Sequence, residues 1–376
     1  MSLSRRELLQ RGAAYALSTG TAVPTLLPAA EPATTPAIEP KRQPKPAAKP
    51  KVDPYADAVF AEGEPPQPAD DSFTVVVMPD TQHYSEKYPA NFHAQTEWIV
   101  ANKKRYKIAA VLQLGDLTNH NNPAEWDVAQ KAMTKLDGHV PYFITLGNHD
   151  YSERGGCSDR TTLYNDYFPI AKFRERPNFG GTYDREPERM ENSYQTFAVG
   201  DRKFLVLSLE FGPRNDVVRW ANEVTASHAD HEAILITHAY MYYDETRYDW
   251  AKYGPRQTWN PHNYRVAKNS ADDVNDGEQL WQKLVGKHEN FILTLNGHVI
   301  GDGLGRTVTK TAAGRDVHQV LVNFQMKPNG GDGWLRLLEF KADGLTVAAR
   351  DYSPVLNRQN ISKQNRFEIK MAKPTA

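Results

Sequence analysis

The chain has 376 residues, in which 45 Lys and Arg stand against 46 Asp and Glu. That balance excludes a basic nucleic-acid footprint and a strongly acidic surface. The single cysteine, Cys157, excludes an internal disulfide framework and a thiolate metal site, while 7 Trp, 18 Tyr and 14 Phe suffice for a large core.

Near the start, "SRRELLQRGAAYALSTGTAVPTLLPAA" (residues 4–30) sets Arg5 and Arg6 ahead of a mildly apolar stretch. It is too short and interrupted to span a bilayer, and it resembles a twin-arginine export signal. Residues 1–30 are therefore expected to engage the twin-arginine machinery, with a periplasmic or otherwise extracytoplasmic destination. Residues 31–70, with "EPKRQPKPAAKPKVDP", carry too little apolar surface to offset chain entropy. They are expected to form a disordered, semi-rigid tether.

The ordered domain is expected over 71–355. "SFTVVVMPD" (72–80) is a β-branched run of the kind buried on both faces of a sheet. Residues 91–106 place Phe92, Gln95, Trp98, Ile99 and Asn102 at helical spacing, and 108–114 is a second strand. Asn122 and Pro123 are an N-cap and first-turn proline for the next helix, and 140–146 is a third strand. This alternation predicts a parallel α/β sheet. Further on, "SYQTFAVGDRKFLVLSLE" reads as a hairpin. Residues 233–237 and 291–295 are short strands, and "GWLRLLEFKADGLTVAARDY" is another hairpin turning at Asp343 and Gly344. Two sheets with outer helices follow, then a loose polar tail over 356–376.

Five apolar runs end on groups that bind metals: "VVVMPD", "LQLGD", "ITLGN", "ILITH" and "FILTLNGH" deliver Asp80, Asp116, Asn148, His238 and His298. Ligands collect at the C-terminal edge of open α/β sheets, so side chains far apart in sequence converge there. One such residue is unremarkable; five point to a shared metal site rather than to packing.

Taken together, "PDTQ", "GDLTN", "GNHD", "THAY" and "NGHV" resemble, in order, the motif blocks of the calcineurin-like metallophosphoesterases. The resemblance spans roughly 73–351. It implies a two-sheet β-sandwich flanked by helices and two divalent metal ions drawn from Mn, Fe, Zn or Mg. It further implies that Asp116 bridges the ions, that Asn148, His238 and His298 complete one, and that Asp80 serves the other. His149 would be the general acid, with Asp150 holding its ring or serving as a plain loop carboxylate.

Two positions depart from the family. Asp80-Thr81-Gln82 stands where Asp-x-His is usual, and His298-Val299-Ile300 lacks the second His. Gln82 is the expected replacement ligand, since alternation in an extended segment turns His83 away; Asp302, in a glycine-rich loop, is either another candidate or a plain turn residue. An oxygen-rich set at that ion favours hard cations.

The function expected is an exported phosphoesterase that cleaves mono- or diesters through a metal-activated water. The alternative is a degenerate member that binds a phosphorylated envelope ligand without turnover. A protein phosphatase fits an exported chain less well. Arg247 and Asn119 are candidate substrate contacts, and the aromatics of 238–250 candidate stacking groups. "NGGDGWLR" (329–336) is a candidate rim. No nucleic-acid surface and no membrane span in the mature chain are expected.

Overall fold

The computed structural model describes residues 53–269 and 273–371. Every strand described below lies within residues 57–376. The expected signal at 1–30 and the tether as far as residue 52 lie outside the described residues.

One sheet begins with β1 (Phe60–Glu62), β2 (Phe73–Met78), β3 (Ile108–Gln113) and β4 (Tyr142–Ile144). The chain then builds a second sheet from β5 (Phe179–Thr182), β6 (Ser193–Val199), β7 (Arg202–Leu209), β8 (Glu232–Thr237), β9 (Phe291–Asn296), β10 (Leu304–Lys310) and β11 (Asp316–Val322). It returns to the first with β12 (Leu335–Phe340), β13 (Thr346–Ser353), β14 (Arg358–Asn360) and β15 (Arg366–Lys370). The spatial orders are β1-β14-β13-β12-β2-β3-β4, with β15 also on β13, and β10-β11-β9-β8-β7-β6-β5.

The β-branched runs form the middle of each sheet, and β2 and β9 are buried at every position. Burial on both faces is what a continuous apolar run requires. β2, β3 and β4 pair in parallel, as do β7, β8, β9 and β11. Each parallel set therefore brings its C-terminal ends to one edge. Phenylalanines close the space between the sheets: Phe204 of β7 lies 5.6 Å from both Phe73 of β2 and Phe340 of β12, and Phe143 lies 5.9 Å from Phe197. The buried rings among them, Phe73, Phe143, Phe204 and Phe340, each contribute about 1.5–3 kcal/mol by leaving water.

Helices flank the sheets. Pro123–Met133 starts as its sequence dictates, with the Asn122 side chain accepting from the Glu125 N–H at 3.1 Å. Asn215–Ser227 buries one stripe, Val217, Val218, Trp220, Ala221 and Val224. Both expected hairpins form, as β6-β7 and β12-β13.

Two boundaries need correction. Residues 356–376 are not simply a loose tail, since β14 and β15 lie within them and both pair with β13. Along β15, Phe367 and Ile369 turn inward while Arg366, Glu368 and Lys370 face water. Such an edge strand reads as polar overall. The Asn365 amide also reaches buried Asp351 at 2.6 Å. Within the expected tether, Phe60–Glu62 pairs with β14, and the Phe60 ring stacks on Trp334 at 6.1 Å. Three residues with a waiting partner strand need no favourable composition of their own.

Candidate metal centre

The strands deliver their terminal residues to one place. Asp80 follows β2, Asp116 follows β3, Asn148 opens the turn after β4, His238 directly follows β8 and His298 follows β9. Ligand atoms of Asp80, Asp116 and His238 all lie within 4.8 Å of one another, and all three residues are buried. The His298 ring packs against the His238 ring, centroids 4.9 Å apart.

The backbone is bent to achieve this. Asp116 and His298 adopt φ of 51° and 71°, in the left-handed region, at a cost of about 1–3 kcal/mol each. Close approach explains the glycines of the motifs. A Cβ on Gly147 would stand 2.0 Å from Asp116 Oδ1, and one on Gly297 would stand 1.9 Å from Asp80 Oδ1. Only hydrogen fits between those strands and the carboxylates.

Hydrogen bonds aim each group. His238 donates from Nδ1 to the Leu114 carbonyl at 2.6 Å, which presents Nε2 to the carboxylates. That atom lies 3.1 Å from Asp116 Oδ2 and 4.0 Å from Asp80 Oδ2. Asp116 Oδ1 accepts from the His149 N–H, and Oδ2 from the Gln82 amide, both at 2.9 Å. Asp80 accepts from the His298 N–H at 3.0 Å and from the Asn323 amide at 2.9 Å. His298 donates from Nε2 to the Trp259 carbonyl at 2.8 Å, leaving Nδ1 available.

The electrostatics call for a cation. Burial pushes the Asp80 carboxyl up to about 7, with His238 pulling it down and Asp116 pushing it up. Burial also opposes Asp116, but His238 and His149 outweigh it and hold that carboxyl well below the usual range. For His238, burial disfavours charge, yet Asp116 and Asp80 carry the imidazole up to about 9. Burial and the neighbouring His238 charge hold His298 down to about 3. In addition, Gln82 Oε1 and Asn148 Oδ1 are buried without a hydrogen-bond partner. Each such orphan costs about 1–3 kcal/mol, and a divalent ion bound by oxygen and imidazole nitrogen would satisfy them together. The residues present fit the metal that the sequence implies.

Several expected roles change. Residues 82–86 are helical rather than extended, so alternation is not what removes His83. It lies on a different side of the helix from Gln82 and pairs with Glu86 at 3.4 Å. Asp302 accepts from the Leu304 N–H at 3.1 Å, as a turn residue. Asp150 does not hold the His149 ring. It accepts from the N–H groups of Leu117, Thr118 and Gly147 and from the Thr118 hydroxyl, tying the two motif loops together. The ring is held by the backbone carbonyl of Asn119, 2.9 Å from Nδ1.

The expected substrate contacts are engaged elsewhere. The Asn119 amide donates to Glu86 at 3.0 Å. The Arg247 guanidinium is bound to Glu278, Thr309 and Gln319 and lies over Trp281. Its charge and donors are thus taken up within the second sheet's flank. Of the aromatics in 238–250, Tyr240, Tyr242 and Tyr248 are buried and Trp250 stacks on His262. Trp334 and Arg336, expected at a rim, are buried as well. Cys157 is buried, and burial pushes its thiol up to about 12, which leaves it inert.

The structure adds residues that sequence reading passed over. Asn323 directly follows β11 and is a sixth strand end; the run "VLVN" carried that signal. A cleft of about 90 Å³ opens onto the centre, lined by Asp116, Asn148, His149, Trp259, Tyr264, His298, Ile300 and Gln325. Trp259 and Tyr264 come from the long connection between β8 and β9, which no periodicity marks.

A family model described as calcineurin-like phosphoesterase matches residues 73–302. The chain is 30% identical over 305 residues to the uncharacterized protein YvnB of Bacillus subtilis (strain 168), covering 78% of this chain and 21% of that protein. It thus spans about a fifth of the length of that relative. Among solved structures it is similar to a purple acid phosphatase, PPD1, from yellow lupin (Lupinus luteus) seeds, at TM-score 0.42 and 13% identity over 81% of this chain and 55% of that one. It is similar to GAP50, the anchor in the inner membrane complex of Plasmodium, at 0.43 and 10% over 81% and 90%. A 5'-nucleotidase precursor from Thermus thermophilus gives 0.42 and 16% over 74% and 54%.

Proposed function

Because this chain belongs to the calcineurin-like phosphoesterase family, we propose that it is a metal-dependent hydrolase of phosphoesters. The observation that carries the reading is the buried convergence of Asp80, Asp116 and His238 within 4.8 Å, beside the orphaned oxygen of Asn148. In this reading Asp116, Asn148, His238 and His298 hold one divalent ion, and Asp80, Asp116 and Gln82 hold a second. The first set mixes oxygen and nitrogen and suits Zn, Mn or Fe; the second is all oxygen and suits Mg or Mn. Cations there supply neutralising charge for phosphoryl oxygens and make water a nucleophile near neutral pH.

The chain's own groups do the rest. His149 lines the cleft with its Nδ1 fixed on the Asn119 carbonyl, so a proton on Nε2 is the one it can give to the departing oxygen. Asp150 keeps the Asp116 and His149 loops in register through its four acceptor contacts. The cleft is small, so a phosphoryl head enters while the esterifying group stays at the mouth.

The test is release of p-nitrophenol from its phosphate and its bis ester by metal-loaded protein. Turnover stimulated by Mn or Mg and abolished by Asp116→Ala is expected. A metal-replete protein without turnover on a broad phosphoester panel would overturn it and favour binding without catalysis. We further propose export, on the strength of Arg5 and Arg6 ahead of an apolar stretch. Replacing both arginines with lysine should then retain the protein in the cytoplasm, and unchanged fractionation would refute it. Among the described residues no helix is long and apolar enough to cross a membrane.

A further inference from the structure

Trp259 carries two costs that packing does not explain. Its side chain is left 38% exposed, although a buried large apolar group gains about 1.5–3 kcal/mol. Its backbone has φ of 62°, which costs a residue with a Cβ about 1–2 kcal/mol. One compensation is plain: the Trp259 carbonyl fixes Nε2 of His298 at 2.8 Å. That accounts for the backbone alone. Any residue has a carbonyl, and glycine would adopt this φ without strain.

The indole must therefore be wanted for itself. Trp259 is one of the residues that line the cleft, together with Asp116, Asn148, His149 and His298. The residues on either side of it are anchored. The Tyr248 hydroxyl donates to the Thr258 carbonyl at 3.0 Å, the Tyr242 hydroxyl meets Thr258 Oγ1 at 3.0 Å, and the Asn260 amide reaches Asp276 at 3.2 Å. Ile300 also lines the cleft, an apolar contact where an imidazole would have been polar. The cleft lining thus joins the polar groups of the centre to an apolar and aromatic set, Trp259, Tyr264 and Ile300.

We propose that Trp259 is a specificity-determining platform. It stacks on the esterifying group, so the substrate class is a phosphoester whose leaving group presents a flat ring. This rests on the phosphoester reading above. Stacking of a ring on an aromatic side chain contributes about 1–3 kcal/mol, a preference on the order of tenfold.

The test measures binding, so it does not depend on turnover. Metal-loaded full-length protein is titrated calorimetrically with phenylphosphonate and with methylphosphonate, neither of which has an ester to cleave. The wild type is expected to prefer the phenyl compound by about tenfold. Trp259→Phe should keep most of that preference, while Trp259→Ala and Trp259→Leu should lose it with methylphosphonate affinity and metal content unchanged. A preference that survives in both the Ala and Leu variants, or equal loss of both ligands, overturns the platform. If the wild type binds neither phosphonate, the phosphoester reading itself fails, and the platform with it.

Discussion

Nδ1 of His149 lies 2.9 Å from the backbone carbonyl of Asn119, so the ring is oriented by main chain and not by the carboxylate of its sequence neighbour Asp150. A carbonyl holds one proton on Nδ1, so the proton His149 transfers is a second one, carried on Nε2. His149→Ala should lower kcat by about 10²–10⁴ on alkyl phosphoesters, the usual range for a lost general acid. On p-nitrophenyl esters, whose leaving group needs no proton, the loss should be much smaller. Steady-state kinetics on the two substrate types, with metal content measured alongside, checks this. Equal losses on both would mean His149 acts on the centre's structure instead.

Gln82 and Ile300 stand where the family places two imidazoles, and both lie beside the centre: Gln82 bonds Asp116, and Ile300 lines the cleft. In the two-ion arrangement proposed above, the ion on the Asp80 side should therefore be held more weakly. Elemental analysis after dialysis should recover close to one ion per chain from the native protein. The double variant Gln82→His, Ile300→His should recover about two, because imidazole binds Zn, Mn or Fe more tightly than an amide oxygen does. No gain in the double variant would refute the asymmetry.

Arg336 and Asp351 form a fully buried ion pair across β12 and β13, with two contacts of 2.7 Å and Asn365 on the second oxygen. Removing one partner strands a charge in the core. Arg336→Leu alone should cost about 3–5 kcal/mol, read as a fall in denaturant midpoint. The double variant Arg336→Leu, Asp351→Leu should recover much of that loss, since no charge is then left unpaired.

Glu210 is buried; burial opposes its charge, but Arg160 and Arg214 outweigh it and hold its carboxyl below the ordinary 4.5. Its folded pKa is depressed, so its stabilisation is fully present above 4.5 and is lost as pH falls from there through the lower value. Thermal midpoints should drop over that acidic range, and Glu210→Gln should flatten the drop while lowering stability at neutral pH. An unchanged slope in the variant would show that other carboxylates control it.

How much of this is legible in the sequence differs by residue. Asp80, Asp116, Asn148, His238 and His298 stand out because each ends an apolar run, and a strand's direction carries its last residue to the ligand edge. Asn323 obeys the same rule but escapes notice, because a lone Asn after "VLV" looks like any turn. Arg247 looks free beside His238, yet Glu278, Thr309 and Gln319, scattered far along the chain, claim it. β15 hides behind its polar outward face.

The linear order of residues alone determined the two-sheet architecture and the set of metal-competent strand ends, because alternation, β-branched runs and strand termini are local properties. Tertiary structure alone decided which carbonyl holds which imidazole, that Asp150 ties loops together, and that Trp259 reaches the cleft. Those outcomes depend on segments distant in the chain meeting in space, and no local spacing encodes such a meeting.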